Sequence, residues 1–261
     1  MRSATVTAIA LAGVLSMARL AAQQPPAQPP TQQPAQPPAQ PPAGGQRMGG
    51  MAADPARKVP GGGIFADGWK GKIDPGEASG GATINDSKFE MKGSDITINS
   101  GPAGIYWNPA NTNSSDYTVS ATFTEPEYMS SMSHPHPYGV FIGGNKLDTE
   151  TPTLLYCAAY GDGRSLVRAF PTTFAPGGSR RPAASEAVHK AAGKGQPVTQ
   201  EIKMSVKGSR VSCSINGTEV GNWDKADLTG DGKLESVQGV AGIRVAHNVD
   251  VKVSNFKVEK Q

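Results

Sequence analysis

Ile202-Lys203-Met204-Ser205-Val206-Lys207-Gly208-Ser209-Arg210-Val211-Ser212-Cys213-Ser214-Ile215-Asn216-Gly217 alternates apolar and polar residues on both sides of Gly208-Ser209 and closes on Asn-Gly. Period two puts Ile202, Met204 and Val206 on one face of a strand and does the same for Val211, Cys213 and Ile215. Asn216-Gly217 is a strong hairpin signal, because both positions accept positive φ. The pattern spreads outward in both directions. Val249, Val251 and Val253 repeat it, followed by Phe256 and Val258, and Tyr117-Thr118-Val119-Ser120-Ala121-Thr122-Phe123 is a strand of the same kind. Gly139-Val140-Phe141-Ile142-Gly143 and Leu154-Leu155-Tyr156-Cys157-Ala158 are more continuously apolar, as fully buried strands are. About ten to twelve strands joined by Gly, Asn, Asp and Pro, with scarcely any helical period, predict an all-β, two-sheet antiparallel sandwich. There is no internal repeat, which argues against a propeller or solenoid.

Before the sandwich the composition changes. Residues 1–22 have Arg2 near the start, an uncharged apolar run over 4–17 and small residues Ala21-Ala22 at the end. That is the pattern of a secretory signal peptide, although an uncleaved anchor has similar features; the run is too short to span a bilayer. Elsewhere no stretch approaches about 18 apolar residues, so no membrane span is expected in the mature protein. Residues 23–43 comprise nine Pro, seven Gln, four Ala and one Thr, and 44–63 hold seven Gly. Such a segment cannot bury a core and is expected to be a disordered tether over 23–63, with the folded domain at 64–261. Secretion or a periplasmic location follows.

Charge excludes one class of function. The net charge of +3 divides into +4 over residues 1–58 (five Lys/Arg, one Asp) and −1 over 59–261 (20 basic, 21 acidic residues). Nucleic-acid binding needs a clustered basic face, which this distribution does not supply. Two cysteines, Cys157 and Cys213, lie 56 positions apart. An exported protein can bridge them, or each can be a separate buried thiol; sequence leaves both open. Residues 171–197, with Arg180, Arg181, Lys190 and Lys194, read as a mobile basic flap in which 183–192 can form a short helix.

The strand spacing resembles the concanavalin A-like lectin/glucanase superfamily of jelly rolls, nearest to the bacterial exported 3-keto-disaccharide hydrolase domains. The likeness is carried by Phe65-Ala66-Asp67-Gly68-Trp69, Ile202-Lys203-Met204-Ser205-Val206-Lys207-Gly208, Ser214-Ile215-Asn216-Gly217-Thr218-Glu219-Val220, and Gly242-Ile243-Arg244-Val245 with residues 249–258. It implies a jelly roll whose concave sheet receives carbohydrate, without carrying an activity over. Residues 108–197 follow no pattern of that family.

Candidate chemistry is local. A retaining glucanase needs two carboxylates about 5–5.5 Å apart on one cleft. Glu125-Pro126-Glu127 has the i, i+2 spacing, yet Pro126 suggests a strand end, where both acids are ordinarily solvated. Gly-x-Ser-x-Gly and His-Glu-x-x-His signatures are missing from the sequence. In His134-Pro135-His136-Pro137-Tyr138 an extended chain turns His134, His136 and Tyr138 to one side, suiting a metal or a sugar, although a third metal ligand, for example His247, is not specified; a Pro-stiffened loop with solvated histidines leading into a buried strand is the favoured alternative. Tyr106-Trp107-Asn108 ends a strand beginning near Ala103, and alternation puts one of its two rings inside and the other outside; the aromatic faces suit sugar rings, and Trp107 closing the sandwich core is the equal alternative. Asp227, Thr229, Asp231 and Glu235 have the spacing of a calcium loop with Gly232 at the turn, but Gln238 stands where a bidentate Glu is expected and no helices flank it; calcium is expected to bind weakly if at all, and an Asp/Gly-rich connection between strands is the favoured reading. The expected function is an exported glycan-binding module. Hydrolysis of a modified disaccharide and a purely structural or adhesive role are the alternatives.

Overall fold

The computed structural model describes residues 54–261. The expected signal peptide and most of the tether therefore lie outside the described residues. The chain runs through β1 (Gly63–Phe65), β2 (Lys70–Ile73), a short helix α1 (Pro75–Ser79), β3 (Lys88–Lys92), β4 (Asp95–Asn99) and β5 (Gly104–Asn113). Next come β6 (Tyr117–Glu125), β7 (Tyr138–Asn145), β8 (Thr153–Ala159), β9 (Arg164–Phe170) and β10 (Ala183–Ala184). The remainder supplies β11 (Val198–Lys207), β12 (Arg210–Ile215), β13 (Thr218–Asp224), a helical turn α2 (Lys225–Leu228), β14 (Gly239–Val245) and β15 (Asp250–Lys260).

These strands form two sheets, in the orders β1-β3-β4-β15-β6-β11-β12-β13 and β10-β9-β8-β7-β14-β5-β2. Every pairing is antiparallel except β1 with β3. The all-β sandwich expected from the alternation is what the chain builds. Its strand count is higher, fifteen among the described residues, because β1, β2 and β10 have only three, four and two residues, too few to show a period.

The hairpin of β11 and β12 shows how sequence becomes core. Burial alternates strictly along Val198–Lys207, and Ile202 faces Ile215 while Met204 faces Cys213. Asn216 (φ 50°) and Gly217 (φ 82°) make the tight turn into β13, as Asn-Gly predicts. Apolar side chains from both sheets, among them Phe123, Val140, Leu155, Met204 and Ile243, form one buried cluster. Through its middle passes a disulfide from Cys157 on β8 to Cys213 on β12, with Cα atoms 6.3 Å apart. It joins the two sheets directly and resolves the choice the sequence left open.

Three expectations are corrected. Residues 54–63 are not merely tether: Asn248 Nδ2 donates to the Pro55 carbonyl, Arg57 N–H donates to Asn248 Oδ1, and the Arg57 guanidinium pairs with Asp250. The segment 171–197 contains no helix at 183–192; Ala183–Ala184 instead adds a strand beside β9, and Ala187 and Val188 enter the core. Gln200, fully buried on β11, holds it there, accepting from His189 N–H (3.0 Å) and donating to the His189 carbonyl (2.7 Å). Finally, β5 does not end at Asn108 but continues to Asn113, with a register shift opposite Val240 and Gly242. The extra residues loop out, which is how Pro109 is accommodated.

Candidate functional site

The outward face of the second sheet carries a second apolar cluster. Ile105, Trp107, Phe141, Leu154, Tyr156, Ala158, Tyr160 and Leu166 are buried there, with Phe170 half-buried beside them. Register explains the arrangement: Trp107, Gly242, Phe141, Tyr156 and Arg168 follow one another across five neighbouring strands. Gly242 is required by this row, since a Cβ there would stand 2.6 Å from the Phe141 ring and 2.4 Å from the Tyr106 carbonyl. Arg244, on the same face, lies 5.4 Å from the Tyr156 ring centre and 5.6 Å from that of Phe170. Its guanidinium makes a two-pronged ion pair with Asp74, at 2.5 and 2.6 Å.

Beside this cluster opens a cleft of about 790 Å³. Asp74, Glu77, Glu150, Thr151, Thr153, Thr172 and Lys233 give it charge and hydroxyls, while Pro75, Pro152, Phe170 and Pro171 give it apolar wall. None of these residues stood out in the sequence. The one available signal was Arg244, a charge inside an otherwise apolar strand segment that needed a buried partner.

The sequence-predicted residues fare unevenly. Tyr106 sits in the core and stacks on Phe89 at 5.0 Å. Tyr138 is fully buried against Phe123, ring centres 5.5 Å apart, and presents no ring face to solvent. Trp107 does lie on the opposite face from Tyr106, as alternation demands, but it is only 3% exposed and offers no free ring. Asn108 is spent on its own turn, where its Oδ1 accepts from Ala110 N–H at 2.9 Å. Glu125 is not solvated: it is 2% exposed, and Met129 N–H donates to its Oε1 while Oε2 has no partner. Burial is the main cause that pushes its carboxyl up to about 7, helped by the charge of Asp250. Glu127 is exposed, and neither acid lines the cleft. In the calcium-loop-like segment, Asp227 and Asp231 are exposed, Thr229 Oγ1 donates to the Lys225 carbonyl, and Glu235 pairs with Lys146 at 2.8 Å. These oxygens do not converge.

His134 and His136 do come together, and the fold adds the third ring. Ring centres of His134 and His136 are 4.3 Å apart, and those of His136 and His247 are 4.1 Å apart. The first two stand on the loop between β6 and β7, the third on the loop between β14 and β15. Glu77 links this cluster to the cleft, because it lines the cleft and its Oε1 lies 3.0 Å from His247 Nδ1.

No family model matches this chain, so the nearer resemblance to 3-keto-disaccharide hydrolase domains gains no support there. No curated protein matches it either. Among solved structures it is similar to the carbohydrate-binding module CBM66 from Bacillus subtilis, at 9% identity over 76% of this chain and 100% of that one, TM-score 0.48. A Bacillus subtilis protein of unknown function with a galectin-like fold shows 12% identity over 73% and 88%, TM-score 0.47. Sheep galectin-11 in complex with glycerol shows 14% over 56% and 92%, TM-score 0.35. Likenesses this distant carry no argument about a ligand, and the sandwich assignment stands on the two sheets themselves.

Proposed function

We propose that the protein is an exported glycan-binding module that receives its ligand in the cleft between α1, residues 150–153 and the end of β9. The observation that carries the proposal is the make-up of that cleft. About 790 Å³ is bounded by an aromatic ring, three carboxylates, three threonines and an ammonium group, and concave sites of this size mix apolar wall with a few polar anchors. Phe170 can lie against the apolar face of a sugar ring, and the Thr, Glu and Lys groups can hydrogen-bond its hydroxyls. The binding surface is thus moved from the centre of the sheet, where Trp107, Tyr156 and Tyr160 are covered, to its rim. Export is supported by the signal-like pattern of residues 1–22 and by the disulfide, which persists in oxidising compartments.

Binding is favoured over hydrolysis because Glu125 and Glu127 do not reach the cleft, and of the three carboxylates that do, Asp74 is committed to Arg244 and Glu77 to His247, which leaves Glu150 without a second free acid beside it. The test is a glycan array on the full chain, followed by calorimetry with the best oligosaccharide. Phe170→Ala and Lys233→Ala should each weaken binding at least about tenfold; Lys233→Ala should leave the unfolding midpoint nearly unchanged, whereas Phe170→Ala also loses packing against the second apolar cluster and is read on the folded variant. Undiminished binding by both variants, or no binding to any glycan, would overturn the reading. Release of free sugar by the parent chain would replace it with the hydrolase reading.

A further inference from the structure

We propose that His134, His136 and His247 form a binding site for a divalent transition-metal ion of the zinc class. The inference does not depend on the glycan reading. Three of the chain's four histidines meet at this one place, and their candidate ligand nitrogens all lie within 4.8 Å of one another. No other group of three or more His, Cys, Asp or Glu side chains converges in this way among the described residues.

Two further observations point to an ion. His136 Nε2 and His247 Nε2 are both buried and have no hydrogen-bond partner. Buried polar atoms are rarely left unpaired, and one cation would satisfy both at once. The outer two rings also have oxygen groups behind them. Glu77 Oε1 lies 3.0 Å from His247 Nδ1, while Asp54 Oδ2 and Ser133 Oγ lie 3.5 and 3.3 Å from His134 Nδ1. Metal-binding histidines ordinarily direct the other ring nitrogen to a carboxylate, which fixes the tautomer and aims the free nitrogen at the ion. That leaves Nε2 free on His134 and His247, and on His136 Nε2 is the buried nitrogen without a partner.

Donor type and spacing define the class. Three imidazole nitrogens suit zinc, cobalt, nickel or copper and are poor ligands for calcium or magnesium, which take oxygen. Bonds of about 2.0–2.1 Å place tetrahedral ligands about 3.4 Å apart, so ring rotations of roughly 1 Å suffice to close the set. The ion would fasten the loop after β6 to the loop after β14, and through Glu77 it would brace α1, one wall of the cleft.

The experiment uses the untagged full chain, stripped with a chelator and titrated with zinc alone, then with cobalt, calcium and magnesium. Zinc should bind at one equivalent with a dissociation constant of about 1 µM or tighter and should raise the unfolding midpoint. Cobalt should give the visible absorption of a nitrogen-ligated ion, and calcium and magnesium should not bind at this site. His247→Gln and His134→Gln should each lose at least about 100-fold in zinc affinity, and Glu77→Gln about tenfold. His189→Gln, which changes the remaining histidine, should bind as the parent does. His134 is partly exposed, so its variant tests the site even if a change at His136 prevents folding. Absence of stoichiometric zinc uptake by the parent would overturn the proposal, as would undiminished uptake by the folded His134→Gln and His247→Gln variants.

Discussion

Arg244 and Asp74 meet through two parallel hydrogen bonds, Nη1 to Oδ1 and Nη2 to Oδ2, which tie β14 to the residue preceding α1. The Arg244 side chain is 9% exposed and that of Asp74 27%, so the pair is inside on one side and open to the cleft on the other. Removing the carboxylate charge leaves a guanidinium in the interior without its counter-ion. Asp74→Asn should therefore destabilise the protein by about 2 kcal/mol, less than a fully buried pair because water reaches Asp74. Urea unfolding of the variant measures this, and a change below a few tenths would mean that the pair is not held in solution.

Glu125 gives a prediction in pH. Its folded carboxyl titrates at about 7, above the ordinary value of 4.5, with burial the principal cause. A raised carboxyl pKa favours the protonated folded state. The associated stability is complete below the unfolded pKa, declines as pH rises from about 4.5 to about 7, and is gone above that. Glu125→Gln, neutral throughout, should then be more stable than the parent at pH 8 by on the order of 2 kcal/mol and show little difference at pH 4. Equal effects at both pH values would remove the ionisation explanation.

The Cys157–Cys213 bridge closes a long loop, 56 residues apart in sequence, between the two sheets. By the chain-entropy account it contributes on the order of 4 kcal/mol through the unfolded state. Reduction, or Cys157→Ala with Cys213→Ala, should lower the denaturant midpoint by an amount corresponding to about 2–4 kcal/mol. A reduced protein as stable as the oxidised one would count against a native bridge.

Gln200 anchors the 187–190 segment by its two hydrogen bonds to His189 and a third from Asn216 Nδ2 at 2.7 Å. Gln200→Ala leaves the His189 peptide without partners and should cost about 1–3 kcal/mol. Limited proteolysis reads the local consequence: new cleavage within 171–197 is expected, and an unchanged digestion pattern would show that the anchor is elsewhere.

Much of the sandwich was legible in the chain, and much less of the site. Alternation in 202–206, 211–215 and 249–253 specified strands because one face of each is buried and the other wet, and Asn216-Gly217 specified a turn because its two positive φ angles are local. His134 and His136 were visible as a pair because they are two residues apart. His247 joins them from more than a hundred residues away, across loops whose approach no period encodes. The aromatic residues misled for a related reason. Tyr106, Trp107 and Tyr138 look alike as ring-bearing strand residues, but which layers cover each one depends on neighbours from other strands. Gln200 offered a missed clue, a polar residue at an inward position between Val198 and Ile202, and such a residue needs a partner that the sequence does not name.

Taken alone, the sequence determined that this chain folds as antiparallel strands stacked in two layers, because the period of apolar residues and the turn chemistry are properties of adjacent residues. Tertiary structure alone decided that Cys157 meets Cys213, that Arg244 is neutralised by Asp74, that the open cleft lies at the rim of the second sheet, and that three imidazoles converge. Each of those outcomes depends on the order in which strands pair, and that order follows from the packing of the whole core.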